Sequence, residues 1–483
     1  MKIDKKFYWH ALYIAVPIMI QNGITNFVGM LDNIMVGQVG TAQMSGVAII
    51  NQILFVFNLA IFGGVSGIGI YTAQYVGKGD REGIRVTFRM KLLLVAVLIA
   101  AGIGILLTQG MDLASLWLKG DIRPEELAAT MTAARGYMLV MLIGLMPFAM
   151  TQVLTSTLRE SGETMTPMKA GVVAVFVNLI GNYILIYGSF GAPKLGVVGA
   201  AIATVVSRFV ECGYVYFWTL KNVNRFPFVR GVFRPVSEAE EIGNYVAPKD
   251  GIVALHGPAH GFYIPGALGR KIIIRALPLL LNETLWSLGQ TVMSQQYSAL
   301  GIQVVAAFNI NSTIANVFNV AFIAFGDATA IIMGQELGSG RLDTAKHDAN
   351  RLACFTLLLC VFCGAALFII APFFPLIYNT EPEIRALATG LIRCSAVFMP
   401  LYAYENSSYF TIRSGGRTGI TFLFDSGFVW AVSIPVVFFL THYTGFTILP
   451  IVIIVNLFDF IKAGVGFVMV QSGMWIRNLT REA

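Results

Sequence analysis

The sequence predicts an all-α, polytopic membrane protein with about 12 transmembrane helices in two pseudo-symmetric six-helix lobes. Three observations predict it. The 483 residues are 56% hydrophobic and only 12% charged, with a mean hydropathy of +0.72, far from the composition of a soluble domain. Apolar runs of about 20 residues, each long enough to cross a hydrocarbon core, recur down the chain. They fall at roughly 8–36, 46–76, 90–109, 135–158, 167–188, 195–220, 272–299, 303–335, 352–377, 385–412, 417–440 and 446–473. The chain also repeats itself. At an offset of 261, Pro17 matches Pro278, Gly40 matches Gly301, Phe57-Asn58 matches Phe318-Asn319, and Gln74-x-x-Gly77-x-Gly79 matches Gln335-x-x-Gly338-x-Gly340. Thr157-x-Arg159-x-x-Gly162-x-Thr164 returns at an offset of 254 as Thr411-x-Arg413-x-x-Gly416-x-Thr418. Halves in the same orientation are related by an axis along the membrane normal, an architecture of transporters that handle substrate near the midplane between them.

On this pattern residues 1–222 form an N-terminal lobe, 223–270 a cytoplasmic inter-lobe loop with a polar insertion, and 271–483 a C-terminal lobe. No cleavable signal peptide is read at the start, because Lys2, Lys5 and Lys6 lead into a span with polar residues and no small-residue cleavage site. The net charge of +7 does not point to nucleic acid. Basic residues gather in alternate loops (Lys2 to Lys6, Lys78 to Lys91, Arg159 with Lys169, Arg341 to Arg351, Arg413 with Arg417, Arg477 with Arg481), while the opposite loops hold Lys119, Arg123, Lys194 and little else. That asymmetry places both termini in the cytoplasm of a cell membrane. Cys212, Cys354, Cys360, Cys363 and Cys394 all fall in spans and read as small packing residues.

The first span carries Asp32, within Phe27-Val28-Gly29-Met30-Leu31-Asp32-Asn33-Ile34-Met35, and the nearest basic residues in sequence are Lys6 and Lys78. A carboxylate at bilayer depth costs roughly 2.5–3.5 kcal/mol on insertion scales, and such residues face a cavity and mark an ion or substrate path. The cost falls when the acid carries a proton or sits beside a bound cation. The repeat puts Met293 at the matching position, so this acid belongs to one half only. In the fifth span Asn178 and Asn182 stand four apart, on one helical face. In the sixth, Thr204 offers a hydroxyl on a small-residue surface. A carboxylate, two carboxamides and a hydroxyl are the oxygen-rich set that Na⁺ or a hydrated proton requires. Amides in spans also join helices to one another, and spacing alone leaves both roles open.

Between the lobes, Arg225 to Arg234 reads as a basic amphipathic segment on the inner surface. Pro235 to Pro265 holds a turn between Tyr245-Val246 and Ile252-Val253, the makings of a small hairpin. The second half has acids of its own, Glu283, Asp327, Glu405, Asp425 and Asp459. Of these Glu283, Glu405 and Asp327 are candidates for a C-lobe cation or substrate site. Lys462 is the basic candidate there, placed either to pair with Asp459 three residues before it or to snorkel to the cytoplasmic side. Predominantly acidic embedded charge favours cationic cargo or cation coupling, since an anion would be repelled in a low dielectric. Met30, Met35, Phe55, Trp286 and Met293, in the first, second and seventh spans, are candidates for an adaptable pocket.

With these motifs assembled, the chain resembles the multidrug and toxic compound extrusion (MATE) family over nearly its whole length. The resemblance rests on Pro17 with Asp32-x-x-x-Val36-Gly37, on Gln74-x-x-Gly77-x-Gly79 and its copy, on Arg159-x-x-Gly162-x-Thr164, and on Gly199-Ala200-Ala201-x-Ala203-Thr204. It implies cation-coupled antiport of amphipathic, often cationic compounds by two six-helix lobes that alternate between inward- and outward-open forms. It implies that Asp32 is the family's first-helix acid and that Asn178, Asn182 and Thr204 share its cation site. Some members carry Asp where this chain has Asn182. Glu283 and Glu405 lie about one turn from the acids of the family's sodium-coupled branch. The expectation is therefore a monomeric secondary transporter for organic cations or drugs, with Na⁺ or H⁺ as coupling ion, no other cofactor and no nucleic-acid partner. A lipid-linked oligosaccharide flippase is the alternative, and its diphosphate cargo would want several arginines in the cavity. A membrane enzyme would need a convergent catalytic set, and none stands out.

Overall fold

Twelve helices long and apolar enough to cross a bilayer follow one another through the residues that the computed structural model describes, 5–115, 124–229, 264–378 and 380–481. They are α1 (Lys5–Gly37), α2 (Thr41–Lys78), α3 (Arg81–Ser115), α4 (Pro124–Glu160), α5 (Met165–Tyr187), α6 (Gly196–Lys221), α7 (Gly266–Ser298), α8 (Ile302–Gly338), α9 (Leu342–Ile370), α10 (Pro382–Ser414), α11 (Thr418–Tyr443) and α12 (Ile448–Gln471). The described residues hold no strand. α11 is interrupted by two wide π-type turns, Leu423–Gly427 and Val429–Ser433.

The duplicated motifs do matching work in the two lobes. Pro17 and Pro278 lie inside α1 and α7, and Pro147 and Pro400 inside α4 and α10. Each proline removes one helical N–H bond. One turn after Pro147 the Thr151 hydroxyl donates to the Pro147 carbonyl at 2.8 Å. Gly79 and Gly340 end α2 and α8 with φ of 77° and 83°, the left-handed conformation that glycine adopts without a Cβ penalty.

The repeated glutamine–glycine motif seals the lobes against each other. Gln74 on α2 donates from Nε2 to the Ser414 and Arg477 carbonyls (3.0 and 3.2 Å), and its Oε1 accepts from the Leu479 N–H at 2.7 Å. The matching Gln335 on α8 donates to the Glu160 carbonyl at the end of α4 (2.8 Å). A Cβ at Gly77 would collide with the Gln335 carbonyl, and one at Gly338 with the Gln74 carbonyl. Each motif is thus the floor for the other's backbone. Apolar contacts extend the seal, with Ile14 and Ile18 of α1 against Phe325 and Leu337 of α8, and Ile68 and Tyr71 of α2 against Ile272 and Ala276 of α7. Trp475, just past α12, joins the first of these clusters, so the sealed end is the one carrying both chain termini.

Overpacking a tight contact costs about 1–3 kcal/mol, and about 1.4 kcal/mol moves an equilibrium tenfold. Gly338→Leu should therefore hold the lobes apart at this end. In a cysteine-free background, Ala73→Cys sits against Gly334. The wedge should raise its labelling by an impermeant thiol reagent from the termini side by roughly tenfold or more. Unchanged labelling would show that the motif does not close the interface.

Three expectations need correction. Arg85, Arg89 and Lys91 are not loop charges, because α3 begins at Arg81 and buries them to 5%, 3% and 0% exposure. Arg85 and Arg89 pair with Glu82 at 3.3 and 3.0 Å. Over 225–229 the segment after α6 does not rest its apolar side on lipid, and the rest of it, 230–234, lies outside the described residues. Phe226 and Phe228 are buried in the N-lobe, Phe228 against Phe88 with ring centroids 5.0 Å apart, while Arg225 faces outward. α7 also takes in Gly266 to Arg270, given above to the loop. The hairpin expected between Tyr245 and Val253 lies outside the described residues.

Candidate functional site

α1 brings Asp32 against α5. Asn182 donates from Nδ2 to Asp32 Oδ1 at 2.6 Å. With its amide nitrogen toward the carboxylate, the orientation in which donors face acceptors, Asn178 donates to both Asp32 oxygens at 2.9 and 3.0 Å. Its own oxygen then accepts from the Thr204 hydroxyl on α6 at 3.1 Å. All four residues of the expected N-lobe cation set, Asp32, Asn178, Asn182 and Thr204, therefore meet. Small residues make the approach possible, since a Cβ at Gly181 would press on Ala203 and one at Gly199 on the Leu185 carbonyl. Asn178 and Asn182 are buried to 6% and 1% exposure. Among the described residues no Lys, Arg or His lies within ion-pair distance of Asp32. Asn182 Oδ1 is buried and accepts no hydrogen bond, which costs about 1–3 kcal/mol. Beside the carboxylate it leaves oxygens that lack a positive partner.

The C-lobe acids are arranged otherwise. Glu283 on α7 accepts from the Tyr409 hydroxyl at 2.9 Å and lies 3.7 Å from Arg413. Lys462 on α12 neither pairs within its own helix nor snorkels. Its side chain is 11% exposed, and its Nζ lies 3.0 Å from Asp425 and 3.6 Å from Glu405. The first wide turn of α11 carries Asp425, and such turns re-aim side chains within a helix. Asn282 holds the other oxygen of Asp425 at 3.0 Å. Of the three C-lobe candidates, Glu283 and Asp327 share Arg413 as a neighbour, and Glu405 faces Lys462. Asp327 lines a cavity of about 80 Å³ between the lobes with Arg159, Glu160 and Arg413, and neither Glu283 nor Glu405 lines it. Arg413 and Lys462 face the five C-lobe acids, which still outnumber them.

Of the pocket candidates, Met35 lines an apolar groove of about 620 Å³ with Ile180, Tyr183, Tyr187 and Phe190. Phe55, Trp286 and Met293 line neither cavity. Met293 packs on Val437, Leu440 and Ile451 instead, Phe55 is 47% exposed, and Trp286 is half-buried on α7. The side chain of Met30 lies outside the described residues.

Sequence reasoning missed a buried pair in the N-lobe. Lys91 donates to Glu160 at 2.5 Å, to Ser156 at 3.0 Å and to Thr157 at 3.2 Å, so all three ammonium protons are used. The available signal was the apolar run that starts directly after Lys91.

Comparison with known proteins agrees with this architecture. A probable multidrug resistance protein NorM of Thermotoga maritima is 24% identical over 474 residues, which cover 97% of this chain and 94% of that one. The multidrug resistance protein MdtK of Edwardsiella ictaluri is 26% identical over 403 residues, covering 81% and 79%. A solved outward-facing conformation of a multidrug resistance MATE family transporter of the MOP superfamily superposes with a TM-score of 0.79. Its identity is 20%, over 98% of this chain and 97% of that one, a likeness of fold. The MatE family model matches residues 17–184 and 278–439, two segments that begin at the two prolines opening the repeat. The chain belongs to the MatE family, the multidrug and toxic compound extrusion proteins.

Proposed function

We propose that this protein is a multidrug efflux transporter that exchanges H⁺ or Na⁺ for amphipathic, often cationic organic compounds by alternating access. The observation that carries the proposal is Asp32, embedded in a span, gripped by two buried carboxamides and without an ionic partner among the described residues. The oxygens of Asp32, Asn182 and Thr204 suit a hard cation, and a proton on the carboxylate would serve the unpaired Asn182 oxygen as donor. The groove lined by Met35, Tyr183 and Tyr187 adjoins this cluster in sequence on both helices. Adaptable thioether and aromatic faces suit flat organic cations.

In this mechanism Asp32 holds either the coupling cation or the cargo's positive charge. Ion entry on the outer side then releases the cargo, and cargo entry on the inner side releases the ion. With both termini in the cytoplasm, a potential of 100 mV supplies about 2.3 kcal/mol per charge, roughly a 50-fold concentration ratio. The flippase alternative gains no support. Arg159 and Arg413 line the inter-lobe cavity, but Asp327 and Glu160 line it too, which is not a diphosphate cradle.

Proteoliposomes holding ethidium test the proposal under imposed proton or sodium gradients. One of the two gradients should drive ethidium movement, and movement indifferent to both would refute coupling. If sodium couples, Asn178→Ala should weaken the sodium dependence. An unchanged sodium response would remove Asn178 from the site.

A further inference from the structure

Asp32 in the N-lobe and the acids Glu405 and Asp425 in the C-lobe are served in opposite ways. The offset of 254 that aligns Arg159 with Arg413 also aligns Arg208 on α6 with Lys462 on α12. Arg208 makes no ion pair with Asp32; it donates to the Gly144 carbonyl at 3.3 Å and lies 4.9 Å over the Phe148 ring, with Glu211 nearby on its own helix. Lys462 turns inward, to Asp425 at 3.0 Å and Glu405 at 3.6 Å. We infer that Lys462 is a tethered counter-ion whose ammonium fills a C-lobe cation site made by Glu405 and Asp425, closing that site to Na⁺.

Asp425 does not depend on Lys462 for its placement. Asp425 is held from its far side by Asn282 at 3.0 Å, and Asn282 is fixed in turn by the Ser426 N–H and hydroxyl at 3.2 and 2.7 Å. Glu405 is 8% exposed, and its Oε1 has no hydrogen-bond partner. Two carboxylates thus face one ammonium, and an unserved oxygen remains. Asp459, one turn before Lys462, adds a further negative charge nearby. A primary ammonium and a hard monovalent cation both seek carboxylate oxygens, so the tethered group and a free ion compete for one place. With Lys462 present the lobe has its cation permanently, and exchange is left to Asp32. This inference holds whichever ion Asp32 takes.

The experiment is equilibrium binding of radioactive Na⁺ to the purified full chain in detergent, in an Asp32→Asn background. Lys462→Met removes the ammonium and keeps the bulk. It should add one saturable Na⁺ per chain, lost again with Glu405→Gln. Lys462→Arg should add none. The inference is overturned if a monodisperse Lys462→Met protein gains no Glu405-dependent Na⁺. It is equally overturned if Glu405-dependent Na⁺ binding is found with Lys462 in place. Should Lys462→Met aggregate, Lys462→Gln takes its place, and the Lys462-containing arm decides alone if both aggregate. Na⁺ binding that survives Asp32→Asn but ignores Glu405→Gln reports on the N-lobe and is subtracted from every arm.

Discussion

Asp32→Asn is expected to cut gradient-driven ethidium efflux by roughly 30-fold or more while leaving the amount of membrane-inserted protein unchanged. The estimate takes the interaction of a charged group at about 2–3 kcal/mol and converts it at 1.4 kcal/mol per tenfold. The substitution keeps size and shape but removes the group that carries charge between ion and cargo. It also turns a carboxylate that accepts from Asn182 at 2.6 Å and from Asn178 at 2.9 and 3.0 Å into an amide with one acceptor. The fold should not suffer, because the first-span acid sits in one lobe and the seal between lobes is made by other residues. Efflux from cells expressing equal amounts of each protein is the check. Retained gradient-driven efflux in the variant would remove Asp32 from the mechanism.

Lys91→Ala is the change expected to cost most stability. Removing one partner of a buried ion pair leaves the other charge uncompensated, at a cost of about 3–5 kcal/mol. Here the stranded group is Glu160, whose other oxygen already takes the Ser156 hydroxyl at 2.5 Å and whose backbone carbonyl receives Gln335 from the opposite lobe. The loss should therefore reach the lobe interface as well as the N-lobe. Thermal unfolding in detergent should show a large fall in the midpoint for Lys91→Ala. Lys91→Met combined with Glu160→Gln should recover most of it, since an apolar stem facing a neutral amide strands no charge. Equal destabilisation by the single and double variants would show that packing, not charge compensation, is what Lys91 supplies.

The parts of this molecule that sequence revealed are those whose physics is local or periodic. Twelve spans follow from apolar runs long enough for a bilayer. The duplication shows through Pro17 and Pro278, Gly79 and Gly340, because proline and left-handed glycine positions tolerate few other residues. The N-lobe cluster was legible for the same reason. Asn178 and Asn182 share a helix face by spacing, and Asp32 is a lone acid in an apolar run.

What stayed hidden depends on pairs distant in the chain. Lys462 faces Asp425 and Glu405 and not Asp459, its neighbour in sequence, and Asp425 sits in the wide turn of α11 at Leu423–Gly427. No spacing rule anticipates a wide turn. Lys91 looked like a loop charge because it stands at the edge of an apolar run, and its partner Glu160 is 69 residues away. Gln74 and Gln335 were visible as a repeat, but not as the two halves of one seal. Their contacts cross between lobes that hydropathy describes separately.

Cation exchange at Asp32 is the claim on which the functional account stands. Its most direct test is calorimetric binding of tetraphenylphosphonium to wild type and Asp32→Asn, in buffers of differing ionisation enthalpy and at stepped Na⁺ concentrations. Wild type should release one cation per ligand bound, read either as a buffer-dependent heat or as an affinity that falls with Na⁺, and Asp32→Asn should show neither dependence. Identical buffer and Na⁺ dependence in the two proteins would contradict the account.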